Sequence, residues 1–227
     1  MTSSLAAESL DLARFAVVDV ETTGGRALHG GRILEVAVAI LEGGTIHLAF
    51  EALLDPGAAI PPWVARLTGI TERMVAGRPR FGDVAASLGR ALDAAVFVAH
   101  NARFDWRFLA AECVAVGAPG PSGRPLCTVR LTRRLVPELR HRGLDHVAAF
   151  FGIANPARHR AFGDALATAR VLRALLERAR ERGVETLEQL VELHDRPRHK
   201  KVRNAECGMR SGSPIDSGLR IPHSAPE

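Results

Sequence analysis

The stretch "FAVVDVETTG", residues 15–24, constrains the fold more than any other part of the chain. Phe15, Ala16, Val17 and Val18 are apolar at every position, so neither face of a strand built from them can stand in water. Such a strand must be covered on both sides, which calls for a sheet between other layers. The run then ends in two acids, Asp19 and Glu21, at alternate positions. Alternate strand residues project to one face, so the two carboxylates stand together at ~6–7 Å along the backbone. Unpaired, they repel, and at least one would titrate above its ordinary range. A hard divalent cation such as Mg²⁺ or Mn²⁺ would relieve that repulsion, because it takes oxygen ligands. A loop that merely begins with two acids is the plainer explanation for this motif taken by itself.

The rest of the chain supplies the covering layers. Strands are expected at 14–20, 32–41, 45–53, 94–100 and 125–129, the second and third joined by the short "EGG" turn as an antiparallel hairpin. Short helices are expected on either side of "TGIT", with longer ones at 81–92, 102–116, 143–151, 162–182 and 185–194. Strands first, then strands interleaved with helices, imply an α/β fold with a mixed sheet and helices on both faces. Ligands of such sheets lie outside the carboxyl ends of the strands, where Asp19 and Glu21 fall.

Two further segments place acids at comparable points. In "HNARFDWRFL" (100–109) a buried strand ends and Asp105 follows in the opening turn of a helix. Asn101 could cap that helix, and an acid in its first turn suits the helix dipole, so a structural reading is adequate there. In "HRAFGDALATARVLRALL" (159–176) Asp164 lies near the start of the long helix and His159 in the loop before it. Each segment has an ordinary explanation singly. Together they bring an acid from three separate elements to the mouth of one sheet.

The three segments "DVETTG", "HNARFD" and "HRAFGDA" resemble the three exonuclease motifs of the DEDDh family of 3′-to-5′ exonucleases, which includes the proofreading epsilon subunit of bacterial DNA polymerase III. The similarity extends over residues 13–180 and takes in "VARLTGITERMV" (64–75). The histidine subclass is indicated by the spacing of His159 and Asp164, and by the complete absence of tyrosine, which the sister subclass uses in that role.

The resemblance implies a ribonuclease H-like fold with a mixed five-stranded sheet. It implies that Asp19, Glu21, Asp105 and Asp164 hold two Mg²⁺ or Mn²⁺ ions, with Asp19 bridging them. Two ions so placed stabilise both the attacking and the leaving oxygen of an in-line displacement. His159 would be the general base, a role that suits an imidazole near neutral pH. By the same resemblance the backbone at Thr22 and Thr23 would face the 3′-terminal nucleotide, Asn101 would help to position the strand, and Leu67 and Thr68 would lie near the terminal base. Simple packing beside the "TGIT" turn explains the last two equally well.

The expected substrate is a single-stranded or frayed DNA 3′ end, released as nucleoside 5′-monophosphates, with a DNA polymerase as a candidate partner. RNA 3′-end trimming of the oligoribonuclease kind is the alternative within the fold, since the motifs do not read the 2′-hydroxyl. A non-catalytic nucleic-acid-binding module is the alternative of another class, and the intact set of four acids and a histidine argues against it.

Composition adds the compartment. Cys113, Cys127 and Cys207 are widely spaced and form no CxxC pair, which favours a reducing cytoplasm over a disulfide scaffold. No apolar run reaches the length of a membrane span, and "MTSSLAAESL" lacks the features of a signal peptide. Residues 1–12 read as an N-terminal extension, 13–194 as the exonuclease domain and 195–227 as a basic, disordered tail. That tail carries seven basic and four acidic residues, so most of the chain's net charge of +5 lies there.

Overall fold

The computed structural model describes residues 8–197. Five strands run in chain order: β1 Phe15–Thr22, β2 Ile33–Glu42, β3 Thr45–Leu53, β4 Val96–Ala99 and β5 Leu126–Cys127. Eight α-helices and one 3-10 turn, Ala27–His29, accompany them: α1 Pro62–Thr68, α2 Glu72–Val75, α3 Phe81–Leu92, α4 Arg103–Ala115, α5 Thr128–Leu135, α6 Leu144–Phe150, α7 Ala161–Arg180 and α8 Leu187–Asp195. The sheet order is β3-β2-β1-β4-β5. β1 pairs antiparallel with β2 and parallel with β4, so the sheet is mixed and the motif-bearing strand is central.

The alternation along β1 sorts the core into two layers. Phe15 and Val17 point into a cluster with Leu172, Leu175 and Leu176 of α7, together with α5, α6 and α8 residues. Ala16, Val18 and Val20 point the other way, to Phe81 and Leu88 of α3 and Phe108 and Leu109 of α4. Asp19 and Glu21 continue the α7-facing row. Glu35 on β2 stands opposite Glu21 in the antiparallel register and continues the row of Ala37 and Ala39 on that same face. A smaller cluster of Leu34, Ile60, Val64, Ile70 and Val75 anchors α1 and α2.

The expected strands and the long helices form, with ends displaced by a few residues. One helix, α5, was not foreseen, and the strand expected at 125–129 is reduced to two residues. The sequence "TVRLTRRL" buries Thr128, Leu131, Thr132 and Leu135, a helical spacing in which half of the inward face is threonine. Threonine is tolerated there because the Thr132 hydroxyl donates to the Thr128 carbonyl at 2.7 Å, leaving no buried donor unmet. Residues 8–13 pack onto the body of the domain: the Leu10 N–H donates to the Glu185 carbonyl and the Leu10 side chain is buried. Asp195, expected as the first residue of the tail, closes α8 and bonds His194 Nδ1. Arg198, Lys200, Lys201 and Arg203 of the expected tail lie outside the described residues. Among the described residues no helix is long and apolar enough to cross a membrane.

Candidate active site

At the carboxyl end of β1 the three segments converge. Glu21, His159 and Asp164 each offer a ligand atom within 4.8 Å of the others. Asp105 is 3 % exposed, and its Oδ1 accepts the Val20 N–H at 3.2 Å, which docks the first turn of α4 against β1 between the other two acids in sequence. Asp164 is held on both oxygens: Oδ1 accepts from Asn155 Nδ2 and Oδ2 from the His159 N–H at 3.1 Å.

The electrostatics carry the signature of a site short of positive charge. Burial first, then Asp105, Asp164, Glu21 and Glu35, hold Asp19 well above the usual carboxylate range. Glu21 is pushed up to about 8 by burial and by Asp164, Glu35 and Asp105, with Arg160 pulling weakly the other way. Asp105 rises to about 7 through burial, against the opposing effect of the Val20 N–H. Burial also raises Asp164. Four carboxylates, each raised by burial, offer oxygen ligands beside one imidazole, a donor set that fits hard divalent cations. The donor set therefore agrees with the expected metal centre.

His159 sits on less regular ground. Its φ of 57° is left-handed, a conformation that costs a non-glycine residue about 1–3 kcal/mol unless its surroundings enforce it. The enforcement is visible. A Cβ on Gly163 would lie 2.2 Å from the Ala157 carbonyl oxygen, so the loop rests directly on the bare first turn of α7. Arg158 pairs with Asp145 at the start of α6. Arg160 pairs with Glu35 on β2.

Glu35, Arg160 and Asn155 do not figure in the sequence reading. Glu35 is 1 % exposed, takes Arg160 Nε on both oxygens at 3.2 and 3.0 Å, and accepts the Ala161 N–H at 2.8 Å. A comparable clamp lies behind the turn after β1. Glu112 of α4 accepts Arg32 Nε and Nη2 at 2.8 and 2.9 Å and the Ile33 N–H at 3.1 Å. His100, quoted in the second motif without a role, bonds the Thr128 hydroxyl through Nδ1 and the Arg142 carbonyl through Nε2, and burial lowers its pKa. A polar residue inside the apolar run "RILEVAVAIL" was the available signal for Glu35.

The expected substrate contacts are placed unevenly. Thr22 and Thr23 flank the acids, but the Thr23 N–H already donates to the Arg32 carbonyl, and the Thr23 hydroxyl accepts the Arg32 N–H. The Thr22 hydroxyl donates to the Gly24 carbonyl at 2.7 Å. Thr68 is buried and its hydroxyl is spent on the turn, donating to the Val64 carbonyl and accepting the Ile70 N–H. Leu67, 50 % exposed, presents apolar surface. Asn101 is exposed with φ 74° and makes no side-chain cap to α4; its carbonyl accepts the Phe104 N–H.

Comparison with known proteins bears on the same segments. The family model described as Exonuclease (RNase_T) matches residues 16–172. The chain is 36 % identical over 152 residues to the 3′-5′ exonuclease DinG of Bacillus subtilis, covering 67 % of this chain and 16 % of that protein. It is 35 % identical over 153 residues to the DNA polymerase III subunit epsilon of Treponema pallidum, covering 66 % of this chain and 71 % of that one. Among solved structures, exonuclease X in complex with 5′ overhanging duplex DNA superposes with a TM-score of 0.63 at 28 % identity, over 81 % of this chain and 99 % of that one. This chain thus spans about a sixth of the DinG protein and most of the other two.

Proposed function

Because the chain belongs to the exonuclease family, we propose that it is a metal-dependent 3′-to-5′ exonuclease acting on single-stranded or frayed DNA ends. The observation that carries this reading is the grouping of Glu21, His159 and Asp164 at the end of β1, with Asp19 and Asp105 near enough that the acids raise one another. Asp19, Glu21, Asp105 and Asp164 would hold the cations. When bound, these supply positive charge to the phosphoryl oxygens and to the attacking and leaving groups.

The chain's own residues do the rest. Asp105, fixed by the Val20 N–H, and Asp164, fixed by Asn155 and the His159 N–H, keep their oxygens turned inward before any ligand arrives. His159 takes the proton from the attacking water. The new bond forms between that oxygen and phosphorus, the bond to the 3′ oxygen of the remaining strand breaks, and that oxygen is protonated. The terminal residue leaves as a nucleoside 5′-monophosphate. Exposed Leu67 offers an apolar face for the terminal base. DNA is supported as substrate by the relative named as a DNA polymerase III subunit. A partner polymerase and a cytoplasmic site of action fit the same reading.

The test is degradation of matched 5′-labelled DNA and RNA oligomers with Mg²⁺ or Mn²⁺ and then with chelator. Stepwise shortening of DNA from the 3′ end that stops on chelation is expected. Metal-independent cleavage, or shortening from the 5′ end, would overturn the assignment. Faster degradation of RNA would move it to the RNA-trimming class.

A further inference from the structure

We propose that Glu35, through its buried ion pair with Arg160, is the positioning residue that holds the His159 loop against the acidic cluster. The inference rests on the function proposed above and adds a residue to that site. Glu35 stands opposite Glu21 in the β1–β2 register and faces α7. It spends its acceptors on two consecutive residues: Arg160, through Nε and Nη2, and the Ala161 N–H. Those two residues directly follow His159.

The loop needs such a hold. His159 adopts a left-handed φ of 57°, and its N–H is committed to Asp164 Oδ2. A residue kept in that region relaxes unless the chain on either side is fixed. Upstream, Ala157 rests on Gly163 and Arg158 on Asp145. Downstream, the hold is Glu35.

Placing a fifth acid here is electrostatically adverse, because Glu35 helps to raise both Asp19 and Glu21. A neutral acceptor could cap Ala161 without that cost, but only a carboxylate grips a guanidinium on two edges. Arg160 offsets the added charge and lowers Glu21 slightly. The pair therefore anchors the loop on β2, next to the strand that bears the acids, and ties the imidazole to the same rigid sheet as the carboxylates.

Glu35→Gln keeps an acceptor for Ala161 and removes the ion pair. Its turnover on a single-stranded DNA oligomer in Mg²⁺ should fall ~10–100-fold, the scale typical of outer-shell partners, with the Michaelis constant and Mn²⁺ binding unchanged. In a His159→Ala background the same substitution should cost almost nothing more, since both changes disable one device. Hydrogen exchange at the amides of 156–162 should quicken in Glu35→Gln. A Glu35→Gln penalty that persists in full beside His159→Ala, or unaltered exchange in that segment, would overturn the proposal. Arg160→Gln, at a half-exposed side chain, repeats both measurements should Glu35→Gln fail to fold. A wild-type protein without nuclease activity would sink the functional reading instead, and the exchange comparison would still decide whether Glu35 holds the loop.

Discussion

The candidate site has two halves that are built differently. Asp19 and Glu21 extend a strand whose preceding residues are wholly buried, and Asp105 is docked on that strand's backbone. The turn after it is closed by the Thr23–Arg32 backbone pair and clamped by Glu112. His159 and Asp164 lie on and just after a loop with no strand or helix of its own. That half is held by discrete contacts: locally, Asn155 to Asp164 and Ala157 on Gly163, and to other elements, Arg158 to Asp145 and Arg160 to Glu35. The difference teaches where each function gets its rigidity. The core fixes Asp19, Glu21 and Asp105, whereas discrete clamps fix Asp164 and the base.

The largest effect should come from the strand half. Asp19→Asn removes the acid that Asp105, Asp164, Glu21 and Glu35 all crowd, and the one expected to bridge both ions, so hydrolysis should fall to the detection limit. The fold should persist, because Asn matches Asp in shape and brings no charge into a crowd of acids. Circular dichroism together with a nuclease assay checks both. A folded Asp19→Asn protein with normal turnover would break the division of labour outright. His159→Ala should come next, losing ~10²–10⁴-fold in turnover while Mn²⁺ still binds the acids. Equal loss of metal affinity in His159→Ala would mean that the two halves are one.

The two halves also differed in how legible they were. The strand beneath the β1 acids was legible from its unbroken apolar run, although a loop that begins with two acids explained Asp19 and Glu21 taken by themselves. Asp105, Asp164 and His159 each had a local alternative, and became informative only as a set matched to a family. The role of Glu35 was hidden for a physical reason: its partner, Arg160, is 125 residues away, and no periodicity links a strand position to a loop arginine. Helix α5 was missed because half of its buried face is threonine, with the Thr132 hydroxyl on the Thr128 carbonyl and the Thr128 hydroxyl on His100, a solution that hydrophobic patterning does not register. Thr68 and Thr23, expected beside the substrate by resemblance, also have local partners that the sequence does not register: the Val64 carbonyl and Ile70 N–H for one hydroxyl, the Arg32 N–H for the other.

A smaller change sharpens the contrast from the loop side. Gly163→Ala adds a single methyl that would lie 2.2 Å from the Ala157 carbonyl oxygen and 2.7 Å from the Ala157 Cβ. Backbone must move, so the loop that carries His159 should lift from α7. Misplacement on the scale of an ångström costs up to ~100-fold in rate, and overpacking costs about 1–3 kcal/mol in stability. Turnover should therefore drop by about 10- to 100-fold, with the Michaelis constant and metal affinity little changed. A purely thermodynamic defect, with normal turnover below the melting transition, would show that the loop tolerates displacement.

The smallest effect is a shift in thermal stability with pH, and it isolates the strand half. With cations chelated, Glu21 titrates at about 8 against an ordinary 4.5, and Asp105 at about 7 against 3.8. Both are raised, so the folded state keeps protons that the unfolded chain has already released. Stability is then greatest below the ordinary values and is lost as pH rises through the folded ones. His100, partly buried, and His194, buried, oppose this on the acid side. Their pKa values are lowered from 6.5, so they destabilise the fold only where the unfolded chain takes up protons, below that value. Between pH 6.5 and 8 the carboxylates should therefore dominate, and the melting temperature of the chelated protein should fall by a few degrees. Mg²⁺ or Mn²⁺ should recover more at pH 8 than at pH 6.5, because deprotonated acids bind it better and binding stabilises the folded state. Asp19→Asn should flatten the fall and His159→Ala should leave it intact. A chelated protein that gains stability over this interval would mean that the acids are already neutralised by the protein itself. The core-built half would then be complete without a cation, and the contrast with the clamped half would lose its chemical basis.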